Sequence, residues 1–199
     1  MLHIIDDQEE VRDALSWLAR SCAIPACAHQ NAQAWLSWLD SPQQQFDAQG
    51  DCLLLDVRMP GMSGLSLFDT LNARNLLTRF PVIFLTGHGD VPMAVDALKR
   101  GAFDFFEKPF NDNKLMARVL EAFAASRAAA GEAQVAERLA SLSPREREVL
   151  DLILQGKMNK VVADELGISM RTVEVHRANI FDKMQVKTAV ELAGLLRTR

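Results

Sequence analysis

Acidic side chains at the ends of short apolar runs are the first feature of this sequence that could do chemistry. The run at 3–5 ends in Asp6-Asp7, and the run at 52–55 ends in Asp56. The run at 82–85 ends in Thr86-Gly87, and a last run at 103–106 leads to Lys108-Pro109. Three carboxylates brought together repel one another unless a cation lies among them. An oxygen-only set suits Mg²⁺, which keeps several waters and takes few protein carboxylates. An aspartate so placed can attack phosphorus and form an acyl phosphate. The metal and Lys108 would offset charge growing on the phosphoryl oxygens, and the Thr86 hydroxyl could donate to one of them. An X-Pro bond can be cis, which would aim Lys108 back toward the carboxylates. Taken singly, an Asp-Asp pair reads as a helix start and Lys-Pro as a turn. Their joint order, each at the end of an apolar run, is what makes them specific.

Positioning these groups requires the runs to be neighbouring strands. Helical patterns at 11–20, 32–39, 64–71 and 93–100 lie between them, and a fifth, poorly marked strand falls near 23–28. Alternating helices and buried apolar strands imply a doubly wound parallel sheet. In such a sheet the chemistry collects beyond the carboxyl ends of the strands, where strand order reverses. The stretch 41–50 is polar and Gln-rich, a surface excursion.

The 199 residues are enough for two small domains, and 49% hydrophobic with 24% charged residues is ordinary for a soluble globular protein. Ten basic against sixteen acidic side chains leave residues 1–123 at −6, and ten against eight leave 143–199 at +2. This asymmetry hints weakly at a nucleic-acid-binding end. The N-terminus shows no signal-peptide pattern, and no apolar stretch approaches the roughly 18–20 residues that span a bilayer. The expectation is a cytoplasmic protein without membrane contact. Cys22, Cys27 and Cys52 read as small, reduced core residues. Residues 124–142, rich in Ala, Glu, Gln and Arg, read as a helical linker. From Ser143 the pattern is purely helical. Ser143-Pro144-Arg145-Glu146 and Thr188-Ala189-Val190-Glu191 have the form of capping boxes, Asn159 and Ser169 could cap two further helices, and Gly156 and Gly167 are stops.

Residues 1–123 resemble the receiver domain of bacterial response regulators. The resemblance is carried by Ile4-Ile5-Asp6-Asp7, by Leu55-Asp56-Val57-Arg58-Met59-Pro60-Gly61-Met62-Ser63-Gly64, by Leu85-Thr86-Gly87-His88-Gly89-Asp90, and by Phe103-Asp104-Phe105-Phe106-Glu107-Lys108-Pro109-Phe110. It implies a flavodoxin-like, five-stranded α/β fold. It makes Asp56 the phosphoacceptor and assigns Asp6, Asp7 and the backbone carbonyl of Arg58 to a Mg²⁺ site, where Mn²⁺ can substitute. It gives Thr86 and Lys108 contact with the phosphoryl group. Phe105 stands where the family carries its switching aromatic, although ordinary core packing explains that residue equally well.

Residues 143–199 resemble the C-terminal domain of the NarL/FixJ, or LuxR-type, regulators, through 142–150, 156–160, 163–169, 171–177 and Lys183-Met184. The segment 86–110 is especially similar to the FixJ branch. The residues agree with this on their own terms. A helix, a tight turn at Gly167 and a longer second helix have helix-turn-helix spacing. On the second helix Val173, Ile180 and Met184 share one face, which packs inward. The opposite face carries Arg171, Glu174, Val175, Ala178 and Asp182 and can enter a major groove. Lys160, Ser169, Thr172, His176, Arg177, Asn179 and Lys183 flank it and can reach phosphates. Val175 and Ala178 offer only apolar contacts, such as to a thymine methyl, and Glu174 could accept from a cytosine or be simply solvated.

Together these features imply a two-domain transcriptional regulator rather than an enzyme. Its expected partners are a sensor histidine kinase, double-stranded promoter DNA, RNA polymerase and, on phosphorylation, a second copy of itself. Three rival readings stay open at this point. An aspartate-nucleophile phosphatase would normally have a second acid where Arg58 stands. A regulator that ignores phosphorylation would not need the full acidic set. An RNA-binding protein would not need a groove-facing helix.

Overall fold

The structure, a computed structural model, describes residues 1–42, 47–87 and 91–197. His88, Gly89 and Asp90, and the centre of the Gln-rich excursion, lie outside the described residues. The sheet contains β1 (Leu2–Ile5), β2 (Ala26–His29), β3 (Cys52–Asp56), β4 (Val82–Thr86) and β5 (Asp104–Glu107). All pairs are parallel and the order is β2-β1-β3-β4-β5. Helices α1 (Glu9–Ser21), α2 (Ala32–Leu39), α3 (Gly64–Ala73), α4 (Val91–Lys99) and α5 (Asp112–Ala140) connect or follow the strands.

Period-two alternation sends neighbouring strand residues to opposite faces. Leu53 and Leu55, with Val82 and Phe84, pack against α2, α3 and α4. Cys52 and Leu54, with Ile83 and Leu85, pack against α1 and α5. β3 and β4 are buried along their whole length, which is why they read as continuous apolar runs. β2 is weakly written because it is an edge strand, and it lies at Ala26–His29 rather than 23–28. Of the cysteines only Cys52 is in the core; Cys22 is exposed and Cys27 half-buried, because Cys22 follows α1 and Cys27 lies on the sheet edge.

The chain divides into two compact units, Met1–Ala130 and Gly131–Arg199, and the division falls within α5. The second unit holds α6 (Pro144–Leu154), α7 (Asn159–Leu166), α8 (Met170–Met184) and α9 (Ala189–Arg197). Ser143 accepts from the Glu146 amide at 3.2 Å while Glu146 Oε2 accepts from the Ser143 amide at 2.8 Å, a complete capping box. Asn159 is not a cap: α7 starts on it, and Met158 takes the capping position without a side-chain bond. At α9 the Thr188 hydroxyl accepts from the Glu191 amide at 3.1 Å, but Glu191 reaches the amide of Lys187, so the box there is only half made.

Between β1 and β2, fully buried His3 and buried His29 meet at 3.3 Å, Nδ1 to Nε2, with the Trp38 ring 4.4 Å from the His3 ring. Burial lowers the His3 pKa despite the neighbouring Asp51 carboxylate, and burial together with His3 lowers that of His29 to about 4. Both folded values lie below the unfolded value near 6.5, so below that pH the unfolded chain binds more protons. The stabilisation is complete above pH ~6.5 and declines as pH falls, by up to about 1.4 kcal/mol per pH unit for each histidine. Urea midpoints followed by tryptophan fluorescence should drop between pH 7 and 5, and His29→Gln should flatten that dependence.

Candidate functional site

Strand order reverses between β1 and β3, and the carboxyl ends of β1, β3, β4 and β5 carry the acidic residues, Thr86 and Lys108 to that edge. Lys108 Nζ donates to Asp6 Oδ2 at 2.7 Å and to Asp56 Oδ1 at 2.9 Å. The second oxygen of each carboxylate is also held. Asp6 Oδ1 accepts from the Gln8 amide at 2.9 Å, and Asp56 Oδ2 accepts from the Arg58 amide at 2.8 Å. Asp6 and Asp56 are buried, whereas the Asp7 side chain is exposed at the rim. Thr86 is buried, and its carbonyl accepts from the Lys108 amide at 2.6 Å. The Lys108-Pro109 bond is cis.

Burial raises the Asp56 pKa, the Lys108 ammonium works against this, and the Asp6 charge adds to the rise; the net position is above the usual aspartate range. Burial also pulls on Lys108, but Asp6 and Asp56 more than reverse that and hold its pKa above the ordinary lysine value. Lys108 therefore keeps its proton, and Asp56 sits against a permanent positive charge.

Two supporting residues have roles that their sequence positions did not disclose. Arg12 donates to the Asp6 carbonyl at 2.9 Å and the Asp7 carbonyl at 3.0 Å, anchoring the acidic turn from α1. Gly64 starts α3 directly behind Asp56, where an added Cβ would lie 2.1 Å from the Asp56 carbonyl oxygen. The glycine in the Met62-Ser63-Gly64 segment was a visible signal for such a close approach; Arg12 carried none.

Among the described residues, no three His, Cys, Asp or Glu side chains gather into a metal-holding group. The donors nevertheless fit Mg²⁺. The Lys108 ammonium already bridges oxygens of Asp6 and Asp56, so this pair accommodates a cation, and Mg²⁺ commonly takes one or two carboxylates and completes its shell with water and phosphate. Phe105 is half-buried on β5, its ring 6.4 Å from that of Phe84 and packed against the α2–α4 core.

In the second unit α7 ends at Gly167, left-handed at φ 63°, and Ser169 caps α8 by accepting from the Thr172 amide at 3.1 Å. Val173, Ile180 and Met184 are fully buried. Arg171, Glu174, Val175, Ala178, Asn179 and Asp182 are exposed, while Thr172, His176 and Arg177 are half-buried. Lys160 is exposed on α7. The Arg177 guanidinium lies 5.4 Å from the Phe181 ring centre. Lys183 is engaged inside its own domain, 2.6 Å from Glu146 Oε2.

The parallel sheet with its acidic edge, joined to a small helical unit, has the architecture of a response regulator. Residues 2–120 match the response regulator receiver domain and residues 140–196 match the luxR family of bacterial regulatory proteins, so the chain belongs to the response regulators with a LuxR-type DNA-binding domain. It is similar to the C4-dicarboxylate transport transcriptional regulatory protein DctR of Rhodobacter capsulatus, 50% identical over 198 residues and 98% of each chain. It is 43% identical to the transcriptional regulatory protein FixJ of Azorhizobium caulinodans, covering 98% of this chain and 90% of that one. Among solved structures, the response regulator StyR covers all of this chain and 98% of its own, at TM-score 0.71 and 36% identity. Full-length FixJ from B. japonicum covers 98% of this chain and 94% of its own, at TM-score 0.56 and 43% identity. The protein is a transcription regulator and not an enzyme. Among the described residues no helix is long and apolar enough to cross a membrane.

Gly64→Ala should destabilise the receiver by about 2 kcal/mol or more, because the Asp56 backbone must move. Gly61→Ala, with open space around it but φ 76°, should cost only about 1–2 kcal/mol of backbone strain. Urea denaturation of the two variants checks this ranking.

Proposed function

We propose that Asp56 accepts a phosphoryl group from the phosphohistidine of a sensor histidine kinase, and that the added charge pairs two chains on double-stranded promoter DNA. The observation that carries this reading is the Lys108 ammonium held 2.7 and 2.9 Å from Asp6 and Asp56, a preformed charge balance around a buried carboxylate. Residues 1–123 serve as the phosphoacceptor domain, 124–142 as a helical linker and 143–199 as the DNA-binding domain. Promoter binding puts the protein in the cytoplasm, beside RNA polymerase.

An Asp56 oxygen forms a bond to phosphorus as the bond to the kinase imidazole nitrogen breaks, and the electron pair stays on that nitrogen. Asp6, Asp7, Asp56 and the backbone carbonyl of Arg58 would hold Mg²⁺. When bound, the metal neutralises charge on the transferring phosphoryl oxygens. Lys108 pairs with those oxygens and the Thr86 hydroxyl donates to one. Movement of Thr86 toward the phosphoryl group gives the Phe105 ring room to turn further inward. The two-state equilibrium then shifts toward a form whose α4–β5 face pairs with a second copy. Val95 and Leu98, both over 40% exposed on α4, supply apolar area for that contact. On DNA, Val190, 82% exposed on α9, extends the pairing surface.

In the helical unit, Arg171, Glu174, Val175 and Ala178 face the major groove in this reading. Lys160, Ser169, Thr172, His176, Arg177 and Asn179 reach the backbone beside it. A phosphatase is disfavoured because Arg58, exposed two residues after Asp56, supplies no second acid.

Incubation with Mg²⁺ and a small acyl phosphate should place one acid- and base-labile phosphoryl group on Asp56, detected by mass spectrometry. It should be absent in Asp56→Asn and after chelation. An unmodified but folded protein with metal present would leave DNA binding independent of phosphorylation as the better reading.

The kinase needs a surface beside Asp56. An apolar cavity of about 530 Å³ between α1 and the loop after β5 meets that need, lined by Val11, Ala14, Trp17, Leu18 and Phe110 and bordered by Lys108. Trp17 is 70% exposed there. Trp17→Ala should slow transfer from a kinase at least about tenfold, the loss typical of an exposed aromatic anchor. Phosphorylation by the small acyl phosphate should be unchanged, as stopped-time autoradiography can show.

A further inference from the structure

Lys183 lies in the last turn of α8 among residues otherwise suited to contact phosphates, yet its surroundings assign it a different task. Its ammonium donates to Glu146 Oε2 at 2.6 Å and to the Ser141 carbonyl at 3.2 Å. Glu146 is buried, with 4% exposure, and also closes the capping box of α6 by accepting from the Ser143 amide. One carboxylate thus ties together the start of α6 and the end of α8. Lys183 lowers the Glu146 pKa, chiefly through their hydrogen bond, which favours the carboxylate form of Glu146. A second cation acts on the same end of the helix. Arg138 donates to the Met184 carbonyl at 3.2 Å and to Gln185 Oε1 at 2.5 Å.

We infer that Lys183 and Glu146 form a positioning pair that fixes the carboxyl end of the recognition helix, and that Lys183 does not contact DNA phosphates. α8 has 15 residues, about 22 Å of helix at 1.5 Å per residue, buried along one face by Val173, Ile180 and Met184. Its groove-facing side chains begin at Arg171, at the opposite end. Fixing the carboxyl end on the scaffold sets the angle at which that end is presented. Freed from Glu146, the helix end loses a buried, charge-assisted contact, and the base-reading end loses its fixed angle. This inference rests on the DNA-binding reading of α8.

The two roles predict opposite signs. If Lys183 were a phosphate contact, Glu146→Gln would release it, tightening DNA binding and steepening the salt dependence. If it is a positioning residue, Glu146→Gln weakens binding and leaves the salt slope unchanged. Gln keeps the acceptor for the Ser143 amide, so the capping box survives. Full-length wild type, Glu146→Gln, Lys183→Met and Lys160→Ala should be titrated against a fluorescein-labelled 30-base-pair mixed-sequence duplex over a series of salt concentrations, by anisotropy. A lost phosphate contact lowers the slope of log K against log salt by about 1. The expected result is a five- to tenfold or so loss of affinity for both Glu146→Gln and Lys183→Met at an unchanged slope, with Lys160→Ala lowering the slope by about 1. Tighter binding by Glu146→Gln, or a slope lowered by about 1 in Lys183→Met, would overturn the positioning role. Circular dichroism checks that each variant is folded; should Lys183→Met unfold, the sign of the Glu146→Gln effect decides alone. Failure of wild type to bind the duplex at low salt, both before and after phosphorylation with Mg²⁺ and the small acyl phosphate, would instead remove the DNA-binding reading itself.

Discussion

Two buried carboxylates beside one another are the constraint around which the first unit is built. Like unit charges about 4 Å apart repel by roughly 4 kcal/mol at an effective dielectric near 20, and the Asp6 charge adds to the burial that raises the Asp56 pKa, so the site calls for a cation. Lys108 meets this need from the end of β5, with its second donor contact reaching across to β1. The sheet order makes the meeting geometrically feasible: β1 and β3 are neighbours, and β4 brings β5 alongside. Two carboxylates against one ammonium leave a net negative charge, and Asp7 at the rim deepens it. That excess suits a divalent cation. The acidic pocket is therefore left short of positive charge.

The backbone around the pocket reinforces this balance. Each buried carboxylate has one oxygen on Lys108 and the other on a main-chain amide, Gln8 for Asp6 and Arg58 for Asp56. The main chain of the turn after each strand thus helps to hold each carboxylate. Gly64 lets α3 begin against the back of Asp56, and Arg12 holds the carbonyls of the acidic turn. The helical unit applies the same device to a different end. There a buried glutamate, a capping box and a lysine fix a helix whose outer face is left free for a partner.

Much of this was legible in the sequence because period and punctuation are local. Apolar runs at 52–55 and 82–85 read as buried strands, and Ser143, Gly167 and Ser169 marked helix ends that the structure retains. Where local signals were weak the reading drifted. The edge strand moved to Ala26–His29 because one side of it has no neighbouring strand to impose a pattern. Asn159 looked like a cap, but a cap is defined by backbone conformation, and Met158 holds that position. Cys22 and Cys27 looked like core residues, yet a cysteine's burial depends on which elements cover it.

The sequence by itself determined the family, the two-part plan and the residues able to do the chemistry, because these reside in residue type and spacing along the chain. Only the tertiary structure decided which of those residues meet. It set Lys108 between Asp6 and Asp56, left Asp7 at the rim, and joined His3 to His29. It also turned Lys183 toward Glu146, 37 residues away along the chain. Such pairings depend on charge and burial in three dimensions, and sequence separation carries no information about either.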